Sequence, residues 1–166
     1  MGTQMSKQSD GQAPSIYEWA GGENAIRGLF HEFYSAVVPG DPILSQVFQH
    51  MSSQHMDTVA DFVSEVLGGP AFYTSVGQRS HSTMVAKHIG KMLNEEQRQT
   101  WMNKLLETAD RLKLPDDPEF RSALVSYLEW GSRIARMNSH RKANPVASDA
   151  PMPKWGWGET GGPYRG

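Results

Sequence analysis

The chain has no cysteine among its 166 residues, and this absence excludes several kinds of chemistry. Disulfide bonds, thiolate metal sites, iron–sulfur clusters and the Cys-x-x-Cys-His attachment of c-type haem all require cysteine. Any haem in this protein would therefore have to be held without a covalent link, by one of its six histidines.

A strong charge of one sign and a long apolar run are also missing. The formal net charge is −2, which gives no electrostatic sign of nucleic-acid binding. No apolar run approaches the roughly 20 residues that a membrane-spanning helix needs, and the N-terminus is polar rather than signal-like. The length suits one domain with a core. We therefore expect a cytoplasmic protein with no membrane span and no nucleic-acid partner.

The two ends of the chain differ in composition from its middle. Residues 1–14 are mostly polar, which predicts a flexible leader. Residues 139–166 are rich in proline and glycine and cannot continue a helix. Two tryptophans in this tail, Trp155 and Trp157, suggest that it docks onto the domain or onto a partner, and a mobile tail is the alternative.

Between the ends, residues 15–138 have the apolar spacing of helices with one buried face. Ser15–Glu18 and Asn94–Gln97 have the sequence of capping boxes. No segment has the pattern of a strand. We predict an all-α domain of four main helices plus short ones, with these residues facing inward: Ile26, Leu29, Phe30, Phe33, Tyr34, Val37; Val59, Phe62, Val63, Val66; Trp101, Leu105, Ala109, Leu112; Phe120, Leu124, Tyr127, Leu128, Ile134.

Two histidines stand on apolar helix faces. His55 precedes Val59 by one helical turn, and His88 has Met84 and Met92 one turn to either side. A neutral imidazole that faces an apolar cavity suits an axial ligand of haem iron, and its other ring nitrogen should then donate to a carbonyl or a nearby side chain. Taken alone, each is better explained as a core histidine with a structural hydrogen bond. The remaining histidines are weaker candidates: His31, His50, His81 and His140.

Several short motifs are spread over residues 15 to 137. They are Gly21-Gly22, Phe33-Tyr34, Phe48, Gly68-Gly-Pro70 with Tyr73, the spacing of His81 and His88, and Trp101. Taken together, they resemble the truncated haemoglobin family, specifically its group II. The tryptophan thirteen residues after His88 is fairly specific to that group, whereas the glycine pairs are less so, because helix ends favour glycine in any family. The resemblance implies a shortened globin fold, a two-over-two helical sandwich around haem b.

The resemblance also implies roles for individual residues. His88 corresponds to the proximal iron ligand, and Tyr34, His55 and Trp101 correspond to the distal side, where they would hydrogen-bond a diatomic ligand. A further set would contact the cofactor or its propionates: Phe48, Val59, Phe62, Tyr73, Arg79, His81, Met84 and Lys87.

The chain departs from the family pattern at two positions in particular. Many members have a small residue in place of His55, and a basic partner for a propionate often stands in place of Thr58. Lys87 and Arg79 would then carry more of the propionate contacts.

The function implied is reversible binding of dioxygen, nitric oxide and carbon monoxide by a monomer or homodimer. The alternative is a redox enzyme, a nitric oxide dioxygenase or a peroxidase-like protein, served by an external reductase because the chain has no flavin or nicotinamide motif. A haem-free interaction module with the globin fold is disfavoured, because several buried polar side chains would then lack partners. Removing the residues beyond about 140 is expected to leave the haem spectrum unchanged.

Overall fold

The structure, a computed structural model, describes residues 12–166. The predicted leader, residues 1–14, lies almost wholly outside this range. Within it every regular element is a helix, which confirms the all-α prediction. The elements are α1 (Ile16–Ala20), α2 (Gly22–Glu32), a π-helical turn (Phe33–Val37), α3 (Val38–Gly40), α4 (Pro42–Val47), α5 (His55–Val66), α6 (His81–Ala86), α7 (Glu95–Arg111), α8 (Pro118–Ser139) and a 3-10 turn (Gly158–Thr160).

The long helices pack in two pairs. α2 lies against α5, and α7 lies against α8. The π-helical turn and α4 both contact α7 and so connect the pairs. Phe30, Phe33, Leu105 and Phe120 are almost completely buried between them. None of the helices in the described part of the chain is long and apolar enough to cross a membrane.

Most of the predicted inward residues are buried, whereas Val37, Val59, Trp101 and Ile134 are half-buried and Leu112 is exposed. The stripe of α2 is buried from Ile26 to Tyr34, but Val38 rather than Val37 takes the next fully buried position. The π-helical turn explains this shift, because its wider turn advances the inward face by one residue. Leu112 is 39% exposed, since it is the C-cap of α7 and the helix ends before another turn can bury it.

Side-chain caps fix where several helices begin. At Asn94 the predicted capping box is present in full, with both reciprocal hydrogen bonds to Gln97. At Ser15 the amide of Glu18 donates to the side-chain oxygen at 3.1 Å, which is one half of the predicted box. A capping box that we did not predict, Ser80 with Thr83, begins α6.

The tail is docked on the domain rather than extended away from it. The Trp155 amide donates to the carbonyl of Val66 at 2.9 Å, and the Trp155 ring lies 5.4 Å from that of Trp130. The indole of Trp157 donates to the carbonyl of Pro14 at 2.7 Å. Both tryptophans are therefore used as anchors within the chain.

The glycines after α5 allow this helix to end directly against α1. Gly68 has a φ of +96°, and a Cβ placed there would lie 2.7 Å from Cβ of Ser15. At Gly69 a Cβ would lie 2.7 Å from the carbonyl oxygen of Ser64. Because α1 and the end of α5 lie this close together, the Tyr17 amide can donate a hydrogen bond to the Leu67 carbonyl at 3.0 Å.

We expect Gly68→Ala to lower the free energy of unfolding by about 1–3 kcal/mol, because it adds both backbone strain and a steric clash. Gly28→Ala is the matched control, since nothing lies near the position of its Cβ and it stands inside α2. That substitution should raise stability by up to about 1 kcal/mol. Urea unfolding of both variants measures the difference, and equal effects would contradict the role given to Gly68.

Candidate functional site

A partly open cavity of about 720 Å³ is lined by residues from the π-helical turn to α8. Its volume falls within the range of roughly 300–1,000 Å³ that is typical of small-molecule and cofactor sites. Most of the wall is apolar. The apolar part includes Leu44, Val47, Phe48, Val59, Phe62, Val63, Met84, Val85, Leu128, Ile134 and Ala135.

His88 lies in the cavity wall, in the turn that follows α6. Its Nδ1 is 3.0 Å from the carbonyl oxygen of Met84. Because a carbonyl oxygen can only accept, Nδ1 carries the proton, and Nε2 keeps its lone pair. Burial lowers the pKa of His88. The side chain is thus a neutral imidazole with one nitrogen available to a metal, in the tautomer that the sequence analysis required.

Tyr34 and Trp101 form a second polar group in the same cavity. The Trp101 indole donates to the Tyr34 hydroxyl oxygen at 3.2 Å. Burial strongly raises the pKa of Tyr34, so the phenol stays protonated. Since its oxygen already accepts from Trp101, the hydroxyl proton can be donated to a ligand in the cavity.

His55 adds an imidazole to this distal group. Its ring lies 4.7 Å from that of Tyr34 and 5.6 Å from that of Phe48. Its Nε2 is buried and has no hydrogen-bond partner in the described structure. Burial, with smaller contributions from the charges of Lys87 and His88, lowers the pKa of His55 to about 4. A buried nitrogen without a partner is uncommon in proteins and fits a site where a ligand supplies one.

Local sequence explains how these side chains reach the cavity. Asp41 caps α4 by accepting from the amides of Ile43 and Leu44, both at 2.9 Å, and Phe48 follows as the C-cap of that short helix. His55 is the first residue of α5. The proline-initiated α4 therefore places Phe48 beside His55 and Tyr34.

All but two of the predicted site residues line this one cavity. Those that do are Tyr34, Phe48, His55, Val59, Phe62, His81, Met84, Lys87, His88 and Trp101. Tyr73 lies behind the wall instead, where its hydroxyl is 2.9 Å from the Thr83 hydroxyl and donates to the Ser80 carbonyl at 3.2 Å. Tyr73 thus supports the start of α6 rather than touching the cavity.

Arg79 also does not line the cavity, while Lys87 borders it. Arg79 forms an ion pair with Asp61 at 3.3 Å, and its guanidinium lies 5.3 Å from the Tyr73 ring centroid. Lys87 is exposed at the cavity edge, where desolvation and the charge of Arg79 lower its pKa. Of the two predicted propionate partners, Lys87 alone is placed to meet a ligand there.

The sequence analysis missed the wall that α8 contributes, formed by Trp130, Gly131, Ile134 and Ala135. These residues continue the apolar face of that helix for two more turns, which is the signal that could have identified them. The sequence analysis assigns Ile134 to the core and not to the cavity wall.

Arg98 was also missed. It lines the cavity yet is only 6% exposed, because it bonds Glu95 on its own helix and reaches Glu129 at 3.0 Å and Ser132 at 3.2 Å on α8. The carboxylates raise the pKa of Arg98 further above its usual range. Its positive charge is thus permanent, and it ties α7 to α8 beside the cavity.

The chain is similar to known bacterial globins. The model of the bacterial-like globin family matches residues 15–129. No curated protein matches the chain. The solved structures similar to it include the group II truncated haemoglobin from Bacillus anthracis, at 23% identity and a TM-score of 0.66, over 75% of this chain and 92% of that one.

Two further neighbours have the same helical arrangement. A haemoglobin from the thermophilic phototrophic bacterium Chloroflexus aurantiacus has 25% identity and a TM-score of 0.64, over 77% of this chain and 99% of that one. The truncated oxygen-avid haemoglobin from Bacillus subtilis has 25% identity and a TM-score of 0.62, over 72% and 97%. The resemblance and the fold class predicted from the sequence are thereby confirmed.

The lowered pKa of His55 predicts how stability changes with pH. Between its folded value of about 4 and its ordinary value of 6.5, the unfolded chain binds a proton that the folded chain does not. The contribution of neutral His55 to the free energy of unfolding is therefore complete above pH 6.5 and is lost as the pH falls towards 4. We expect His55→Gln to flatten the dependence of unfolding free energy on pH across this window, measured by urea titration. Parallel curves for the two proteins would contradict the assignment.

Proposed function

The chain belongs to the bacterial-like globin family, and from this premise we propose that it binds dioxygen and other diatomic gases reversibly at a haem b held by His88. The observation that carries the proposal is the bond from His88 Nδ1 to the Met84 carbonyl, which leaves Nε2 free beside an apolar cavity. A bound haem supplies an iron centre at which such gases bind. The lack of cysteine favours the non-covalent b type.

The residues present fit this cofactor. Most of the cavity's lining surface is apolar, as a porphyrin requires, and its polar side chains include His55, His81 and His88. Lys87 at the cavity edge offers a cation for a propionate, and His81 lies in the same wall with its buried Nδ1 unpartnered within the described residues. The unpartnered Nε2 of His55 is satisfied most simply by a ligand inside the cavity.

The distal side chains support tight binding of a small polar ligand. Tyr34 can donate its hydroxyl proton, and Trp101 fixes the orientation of that hydroxyl. Each hydrogen bond to the ligand should contribute about 0.5–1.5 kcal/mol in this enclosed site. The neighbour from Bacillus subtilis is described as oxygen-avid, and these donors favour the same property here.

The enzymatic alternatives receive less support. A general base works best when its pKa lies near the working pH, and the pKa of His55 is lowered to about 4. This weak basicity favours ligand binding over peroxidase-like chemistry. Nitric oxide dioxygenase activity remains a hypothesis that requires an external reductase, and nitric oxide consumption no faster than that of free haem would exclude it.

We expect His88→Ala to abolish or change the absorption spectrum of the reduced, carbon monoxide-treated protein, because it removes the proposed iron ligand. His31→Ala is the control, since His31 is on the surface and pairs with Asp57. Its spectrum should match that of the wild type. If both variants kept the wild-type spectrum, His88 would not be the ligand.

Oxygen release provides the test of the distal side. We expect Tyr34→Phe to increase the oxygen dissociation rate constant by about fivefold or more, the effect of losing one ordinary hydrogen bond. Tyr127→Phe is a matched control, because Tyr127 is also a buried tyrosine of the cavity wall but packs on Trp130 and Trp155. Stopped-flow measurements should give a larger oxygen dissociation rate constant for Tyr34→Phe than for Tyr127→Phe. Equal rate constants would argue against a donor role for Tyr34.

A further inference from the structure

The segment that carries His88, residues 81–93, is tied at its beginning to the chain that follows α8. Asn144 donates through Nδ2 to the Ser82 carbonyl at 2.9 Å and lies 3.1 Å from the Ser82 hydroxyl oxygen. The Ser82 hydroxyl donates to the carbonyl of Val146 at 2.9 Å. The Val146 amide donates back to Asn144 Oδ1, also at 2.9 Å, so the three residues form a closed set of hydrogen bonds.

The same stretch of chain holds the other end of the segment. The Met92 amide donates to the carbonyl of Ser139 at 3.0 Å, and the Leu93 amide donates to the Ser139 hydroxyl at 2.9 Å. His140 donates from Nε2 to the Leu93 carbonyl at 2.7 Å. Ser139 is completely buried, which shields its part of this junction from water.

These ties matter because the segment has little regular structure of its own. α6 ends at Ala86, and α7 does not begin until Glu95. Met92 has a φ of +55°, a conformation that a residue with a side chain seldom adopts without support from its surroundings. The Ser139 contact at its amide supplies that support.

We propose that residues 139–146, here called the strap, position the proximal histidine, with Ser139 and Asn144 as its positioning residues. Ser82 is two residues before Met84, whose carbonyl orients the His88 ring. Met92 is four residues after His88. The strap therefore fixes the backbone on both sides of His88, while the His88 ring itself hydrogen-bonds to Met84. This inference rests on the proposed function only in making His88 the iron ligand.

The strap lies beyond residues 15–129, the part of the chain that the family model matches. Its downstream end is held independently by Trp155, through the Val66 carbonyl and the rings of Tyr127 and Trp130. Under this proposal, removing the residues beyond about 140 changes the haem spectrum, which is the opposite of the expectation from the sequence.

Hydrogen exchange of the purified protein tests the contacts themselves. Ser139→Ala should speed exchange of the Leu93 amide by about fivefold, the effect of losing one ordinary hydrogen bond. Asn144→Ala should do the same for the Val146 amide, which donates to Asn144 Oδ1, and Ser82→Ala should loosen the same junction by removing the hydroxyl that donates to the Val146 carbonyl. Trp157→Phe is the control, because it removes a tail hydrogen bond that lies on Pro14 and leaves residues 81–93 untouched.

The iron–histidine stretching band of the reduced protein tests the effect on His88. It should shift or broaden in Asn144→Ala and further in the Ser139→Ala/Asn144→Ala double variant, and it should stay unchanged in Trp157→Phe. The Asn144 contacts are exposed, so the single variant will fold even if the double variant does not. The inference would be overturned if the strap variants exchanged at the wild-type rate. It would also be overturned if their exchange were faster but the iron–histidine stretching band did not shift. A wild-type spectrum that survives His88→Ala would instead overturn the proposed function, which keeps the two failures distinct.

Discussion

The site depends on one hydrogen bond, from His88 Nδ1 to the Met84 carbonyl. Without it, either ring nitrogen could carry the proton and the ring could rotate about its side-chain bonds. With it, the proton is placed, the ring plane is restricted and Nε2 faces a ligand as a lone pair. The capping box that begins α6 and the Tyr73 hydroxyl beneath it act on this same bond, since they fix the short helix that presents the Met84 carbonyl.

Desolvation then determines the protonation of the two histidines and the tyrosine at the centre of the site. Burial lowers the pKa of His55 and His88 and raises that of Tyr34, so all three are neutral at pH 7. Neutral groups can remain in an apolar wall at a modest cost when they have partners, whereas charges could not. The permanent charges are placed accordingly: Lys87 is exposed at the cavity edge, and Arg98 is neutralised by Glu95 and Glu129.

Much of the fold and of the cavity wall could be predicted from the sequence, because both follow from local periodicity and from motifs of fixed spacing. What failed depended on contacts between distant residues. Tyr73 and Arg79 were assigned to the cavity, but Thr83 and Asp61 draw them behind its wall. The π-helical turn, which buries Val38 where Val37 was expected, has no local sequence signal that we recognise. The sequence of the tail indicates only its composition, because the residues that the tail contacts, such as Val66 and Ser82, are far away in the chain.

The two sides of the cavity are held in different ways. On the proximal side, Tyr73 and the strap fix a segment that lacks a long helix, so rigidity comes from hydrogen bonds to chain far away in sequence. On the distal side, Tyr34 is held by Trp101, but His55 Nε2 has no hydrogen-bond partner among residues 12–166. Because His88, the proposed iron ligand, is restricted and one distal nitrogen is left unsatisfied, the remaining hydrogen-bonding capacity lies where a small ligand would bind. This asymmetry explains why a buried imidazole can be retained here without a partner from the chain, since its free energy cost is recovered only when the cavity is filled.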